Sequence, residues 1–254
     1  MPGYLPGCGG FQGAGGGKAL KERKLAMGVC YIVGAGEFGD GLPCILTEDI
    51  LIACDGGYAY CREKNLPVTL VVGDFDSLKY PPEHPDVVRL KPEKDDTDTG
   101  WAVKEGWRRG YRKFVIYGGC GGRISHTMAN IQLLSWLAAE GGEGVLVGKN
   151  SWYRVICNSE ICFGEEETGY LSVFCLSDRA EGVCETGLKY ELDNAVLIKE
   201  YPVGVSNEFT GRKSRVSVRR GTLLLIKEQF DAGSRQMSAS QPPGSLPAEI
   251  KFPL

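Results

Sequence analysis

Asp74 and Asp76 stand two residues apart in Val72-Gly73-Asp74-Phe75-Asp76-Ser77, directly after the apolar run Thr69-Leu70-Val71-Val72. Such a run reads as a buried strand, so both carboxylates fall where an open α/β sheet presents its carboxyl edge to a ligand. Neighbouring like charges repel unless a cation lies between them, and a hard cation such as Mg2+, shared with phosphate oxygens, relieves the repulsion. Taken alone, the stretch also reads as a solvated turn. Two further loops weaken that reading. Asp55-Gly56-Gly57 follows the apolar run Ile50–Cys54, and Lys94-Asp95-Asp96-Thr97-Asp98 follows the run 87–90. In a parallel sheet all three loops converge on one edge, which favours a cation site built from Asp74, Asp76 and Asp98. Asp98 and Thr97 also compete for the N-cap of the next helix.

A fourth loop, Gly118-Gly119-Cys120-Gly121-Gly122-Arg123, leads from a strand into a helix that the pattern starts near Ser125. Its glycines let backbone N–H groups approach an anion, the helix N-terminus adds partial positive charge, and Arg123 offers a forked cation for phosphate oxygens. Acids for Mg2+ beside glycines for phosphate imply a nucleoside triphosphate such as ATP. The P-loop pattern is absent.

Gly34-Ala35-Gly36-Glu37-Phe38-Gly39 matches the dinucleotide-binding glycine pattern, and Asp55 stands at about the right distance for a ribose-binding acid. This keeps a nicotinamide-dependent oxidoreductase open as a rival. That fingerprint requires a long helix opening inside it, and Gly39, Gly41 and Pro43 leave little room before the strand at Ile50. The loop can equally line a nucleotide pocket.

The elements that position these loops alternate between apolar runs and helical patterns from Met27 to about residue 147, the mark of an α/β domain with a mostly parallel, Rossmann-like sheet. Strands are predicted at Val29–Val33, Ile50–Cys54, 70–72, 87–90, 114–117 and 145–147, and helices at 58–65, 98–109 and 125–140. In the last helix Met128, Ile131, Leu134 and Leu137 recur at core spacing. Beyond Asn150 only short β-rich runs occur (153–157, 170–176, 190–198, 216–218 and 222–226), so the second unit reads as an all-β sandwich or barrel. The predicted organisation is a Gly-rich, disordered extension over 1–26, an α/β unit over 27–149, a β unit over 150–228 and a disordered tail over 229–254; Met27 is a candidate natural start.

Composition narrows the partners. The 254 residues are 43% hydrophobic, enough for a core, and carry 29 basic against 32 acidic residues for a net charge of −3. That balance asks for neither nucleic acid nor an anionic membrane. No apolar run approaches the roughly 20 residues that cross a bilayer. The ten cysteines are scattered mostly through apolar runs (Cys30, Cys54, Cys157, Cys175) without a Cys-x-x-Cys pair, and read as free buried thiols of a reducing cytoplasm. With only His84 and His126 as imidazoles, a zinc site has little to build on.

The order of these motifs resembles the thiamine pyrophosphokinase family. The resemblance continues through Thr186-Gly187-Leu188-Lys189-Tyr190 and Gly204-Val205-Ser206-Asn207-Glu208 to Gly221-Thr222-Leu223-Leu224, and so spans about 27–228. It implies transfer of the β,γ-pyrophosphoryl group of Mg·ATP to the hydroxyl of thiamine, giving thiamine diphosphate and AMP. It also implies a cytoplasmic homodimer that binds thiamine between the α/β unit of one subunit and the sandwich of the other. Asp74, Asp76 and Asp98 would be the Mg2+ carboxylates, with Asp55 and Asp95 nearby, and Ser206 and Asn207 would hold thiamine. In turn, Gly34, Gly36, Gly56, Gly57, Thr97, Gly118, Gly119, Gly121, Gly122, Arg123, Ser125 and His126 would line the substrate pocket. Where the family usually places an Asp before His126, this chain has Ser125, which can cap the helix but supplies no negative charge. That departure leaves a non-catalytic nucleotide or thiamine binder as a third reading.

Overall fold

Strands without polar alternation need cover on both faces, and the chain provides it with helices. The computed structural model describes residues 28–39, 44–75, 82–91 and 96–229. Asp76, Asp95, the 1–26 extension and the tail beyond 229 lie outside the described residues. The first half runs β1 (Val29–Val33), β2 (Ile50–Cys54), α1 (Gly57–Glu63), β3 (Leu70–Gly73), β4 (Val87–Arg89), α2 (Asp98–Arg108), β5 (Lys113–Tyr117), α3 (Ile124–Ala139) and β6 (Glu143–Val147). β6-β5-β1-β2-β3-β4 are parallel neighbours in that order. Alternate residues of each strand serve opposite cores. Ile32, Ile50, Ile52, Phe114 and Ile116 pack with Ala102 and Val103 of α2 and Leu134 and Leu137 of α3. Leu51, Ala53, Val71, Val115 and Val145 pack on the other face with Tyr58 and Cys61 of α1.

The second half adds β7 (Ser151–Cys157), β8 (Glu160–Phe163), β9 (Tyr170–Cys175), β10 (Arg179–Thr186), β11 (Leu192–Ile198), β12 (Gly204–Glu208), β13 (Ser214–Ser217) and β14 (Thr222–Glu228). It is a sandwich, but not a detached one. β7 pairs antiparallel with β6, and the sheet continues as β12-β9-β14-β7-β6-β5-β1-β2-β3-β4, ten strands through both halves. A four-stranded antiparallel sheet, β11-β10-β13-β8, packs over its β12-β9-β14-β7 end. Leu171, Val173, Val183, Leu188, Val216, Leu223 and Leu225 fill the space between the two sheets.

Several sequence expectations need correction. Met128 is exposed while Ile131, Leu134 and Leu137 are buried, because the start of α3, from Arg123 to His126, stands exposed to solvent. Cys157 is only half-buried, and Cys44 and Cys162 are exposed; all cysteines among the described residues are free. No helix among the described residues is long and apolar enough to cross a membrane.

Candidate active site

The carboxyl edge of the parallel sheet is built from backbones that approach too closely for side chains. Gly34 N donates to Tyr117 O, Gly36 N to Gly118 O and Glu37 N to Cys120 O, which zips the loop after β1 to the loop after β5. A Cβ on Gly34 would fall 2.6 Å from Gly118 O, and one on Gly36 2.5 Å from Cys120 O. These two glycines are spent on holding the loops together. The described residues between β1 and β2, 34–39 and 44–49, contain no helix, so the context a dinucleotide fingerprint requires is missing there. Gly57 sits equally tightly on the end of β1, since its Cβ would lie 2.2 Å from Val33 O.

The acids follow from the strands beneath them. Asp55 closes β2 with φ 46°, and its N–H donates to Val72 O at the end of β3. Gly73 packs against Asp55, with its Cβ position 3.1 Å from Asp55 Cα. Asp74 comes next and is half-buried. Phe75 has φ 62° and drops its ring into the core on the α1 face. Asp98 opens α2, and Thr97 wins the competition for its N-cap by accepting from Gly100 N at 3.0 Å. The Cys54 thiol at the end of β2 registers the acids electrostatically. Burial pushes it well up, and the negative charges of Asp98 and Asp55 add to the rise. Asp55, Asp74 and Asp98 thus share one edge, although no three metal-ligating side chains among the described residues are gathered closely enough to hold an ion. Their all-carboxylate chemistry suits a hard divalent cation.

Across this edge lies the glycine loop. Gly118 takes φ 60° and Gly121 φ 83°, a region open to glycine with little steric cost. Asn130, buried on α3, donates to Gly119 O at 2.6 Å and fixes the loop's orientation. Arg123, extended at φ −67° and ψ 124°, is the N-cap of α3; neither a side-chain cap nor an acid occupies that first turn. Ser125 therefore does not cap, because the backbone turns helical one residue before it. Gly122, Arg123, Ser125 and His126 are all exposed. Glu37, given no role from sequence, lies over Gly121, whose Cβ would fall 2.4 Å from Glu37 Cδ. Its charge also helps raise the Cys120 thiol, after burial. His84 is engaged elsewhere, with Nε2 3.1 Å from Val68 O.

In the sandwich, β12 loses register between Gly204 and Asn207, and Ser206 is pushed out, exposed, at φ 57°. Its N–H donates to Ser172 Oγ at 3.0 Å. Asn207 points inward and is 4% exposed. Its carboxamide oxygen accepts from Tyr190 N (2.9 Å) and Glu208 N (3.0 Å), and its amide nitrogen donates to Tyr190 O (2.6 Å) and Glu185 Oε2 (2.9 Å). With all of those bonds made inside the subunit, the segment presents Ser206 outward and keeps Asn207 as its anchor.

Comparison with known proteins places the two halves together. Residues 44–145 match the thiamin pyrophosphokinase catalytic domain, and residues 158–223 match the thiamin pyrophosphokinase vitamin B1 binding domain. The chain belongs to the thiamin pyrophosphokinase family. The first match contains Asp55, Asp74, Asp98 and Arg123, and the second contains Ser206 and Asn207. Among thiamin pyrophosphokinases, that of Bacillus subtilis is 26% identical over 183 residues, covering 69% of this chain and 86% of the relative. Thiamin pyrophosphokinase 1 of Caenorhabditis elegans is 26% identical over 176 residues, covering 64% and 70%. The crystal structure of a thiamin pyrophosphokinase family protein from Enterococcus faecalis superposes with TM-score 0.69 at 28% identity, covering 80% of this chain and 99% of that one.

Proposed function

We propose that the protein transfers the β,γ-pyrophosphoryl group of ATP to the primary hydroxyl of thiamine, releasing AMP. The observation that carries this reading is the meeting, on one sheet edge, of the Asp55, Asp74 and Asp98 segments with the glycine loop fixed by Asn130. Transfer of this kind depends on positioning and charge stabilisation rather than on covalent help from protein. The N–H groups of the glycine loop and the open N-terminus of α3 bind the phosphates, and Arg123 neutralises charge that develops on them. A carboxylate of the acidic edge accepts the hydroxyl proton as the oxygen attacks the β-phosphorus in line and the bond to the AMP oxygen breaks. Asp74 and Asp98, with Asp76, would hold Mg2+, which supplies charge neutralisation to the phosphates when bound. Gly56, Gly57 and Thr97 shape this edge from below.

Thiamine is held by Ser206 of a second copy of the chain. Supporting this, Val196 and Ile198 of β11, Val205 of β12, and Tyr201 and Val203 between them are exposed. An apolar surface of that extent on two sheet edges fits burial against another subunit. The deciding experiment is product analysis after incubation with Mg·ATP and thiamine. AMP and thiamine diphosphate in equal amounts are expected; ADP with thiamine monophosphate, or no turnover, would overturn the reading.

A further inference from the structure

The sandwich buries a carboxylate with no place in the proposed chemistry. Glu185 of β10 is 1% exposed, and its Oε1 has no hydrogen-bond partner among the described residues. Burying a carboxyl group that is only half satisfied costs stability, and apolar side chains fill the same intersheet space at Val183 and Val216 without that cost. Its other oxygen accepts from Asn207 across the sandwich, 22 positions along the chain. Through that bond Glu185 reaches two segments at once. Asn207 clasps both the N–H and the C=O of Tyr190, so it stands in for a backbone partner to the turn between β10 and β11. It also anchors the bulge that forces Ser206 into the left-handed region, a conformation that persists only where its surroundings hold it. The clasp is reinforced by Lys189 N donating to Glu208 O and by the Lys189–Glu208 ion pair.

We infer that Glu185 is a positioning residue for thiamine: by fixing the Asn207 carboxamide, it sets Ser206 and Tyr190 at the sandwich edge in the geometry that receives the vitamin. This rests on the proposed function. It assigns the buried carboxylate to substrate geometry rather than to stability, and those roles separate experimentally. Glu185→Met keeps the volume, removes the acceptor and relieves the buried carboxyl. Glu185→Gln keeps a carbonyl acceptor for Asn207.

Steady-state kinetics of the full chain, varying thiamine and ATP separately, provide the test. Glu185→Met is expected to raise the thiamine KM about tenfold, equivalent to about 1.4 kcal/mol, with the ATP KM and kcat held and the melting temperature equal to or above that of the parent. Glu185→Gln is expected to restore the wild-type thiamine KM. Amide hydrogen exchange at Tyr190, Ser206 and Asn207 should speed up in the Met variant and return in the Gln variant. An unchanged thiamine KM in Glu185→Met, or equal rises in both KM values, would overturn the inference while leaving the proposed function intact. If the wild-type protein makes no thiamine diphosphate, the functional reading fails instead. Exchange rates unaltered by Glu185→Met would then overturn the positioning role on their own.

Discussion

Asp55, Phe75 and Ser206 hold left-handed backbone, a region that Asp and Asn enter more readily than Phe or Ser and that Asn65, Asn158 and Asn194 also adopt in the described chain. Each such residue costs on the order of 1–3 kcal/mol, and all three lie within motifs proposed to meet substrates. Phe75 shows how the cost is met: its buried ring anchors the loop, so the neighbouring Asp74 is carried past the end of β3. Ser125 is a different kind of position, exposed on the first turn of α3 beside the glycine loop. A carboxylate there would gain from the helix N-terminus and supply the negative charge that Ser125 lacks. Ser125→Asp should therefore lower the thiamine KM about tenfold, the effect of one charge-assisted hydrogen bond of about 1.5 kcal/mol; titration of thiamine at saturating ATP checks this. The aspartates were legible because each follows an apolar run. Asn130, Glu185 and Glu37 were not, since each acts on atoms distant in sequence and leaves no local pattern.

At the scale of elements, α2 carries its own electrostatic brace. Arg108 and Arg109 both donate to Glu105, and these hydrogen bonds, Arg108's first, together with the two positive charges hold its carboxyl down at about 2 against the ordinary 4.5. The folded state thus binds this proton less readily than the unfolded chain. The stabilisation is complete above pH 4.5 and is lost as the pH falls toward 2. Glu105→Gln should flatten that acid limb by lowering the neutral-pH melting temperature while leaving the value near pH 2 little changed, as thermal scans between pH 6 and about pH 2 would reveal. The parallel strands could be read because continuous apolar runs announce strands, buried on both faces except at the short edge strand β4, where Val87 and Arg89 are exposed. β8, β10 and β12 could not. β10 and β12 contain register shifts that break the two-residue alternation, and β8 is a four-residue edge strand with one buried side chain.

For the molecule as a whole, the exposed residues of β11 and β12 should decide its assembly. Val205→Glu places a charge on that surface, next to Ser206 on β12. Under the proposed assembly, sedimentation is expected to show a dimer for the parent and a monomer for this variant, with thiamine turnover lost and ATP binding retained, because Ser206 would no longer be delivered to the acidic edge. The sequence suggested a boundary near Lys149, where the composition changes from alternating helices and strands to strands alone. What it could not reveal is that β6 and β7 join their backbones there, since main-chain hydrogen bonds impose little choice of side chain. Arg154 of β7 bonds Glu143 of β6 across the same join. The ten-stranded sheet therefore turns a two-part sequence into one mechanical body. A chimera that exchanged the vitamin-binding half for that of a relative would have to inherit the β6–β7 register with it, so the heritable cassette begins inside the catalytic half rather than at the visible change in composition.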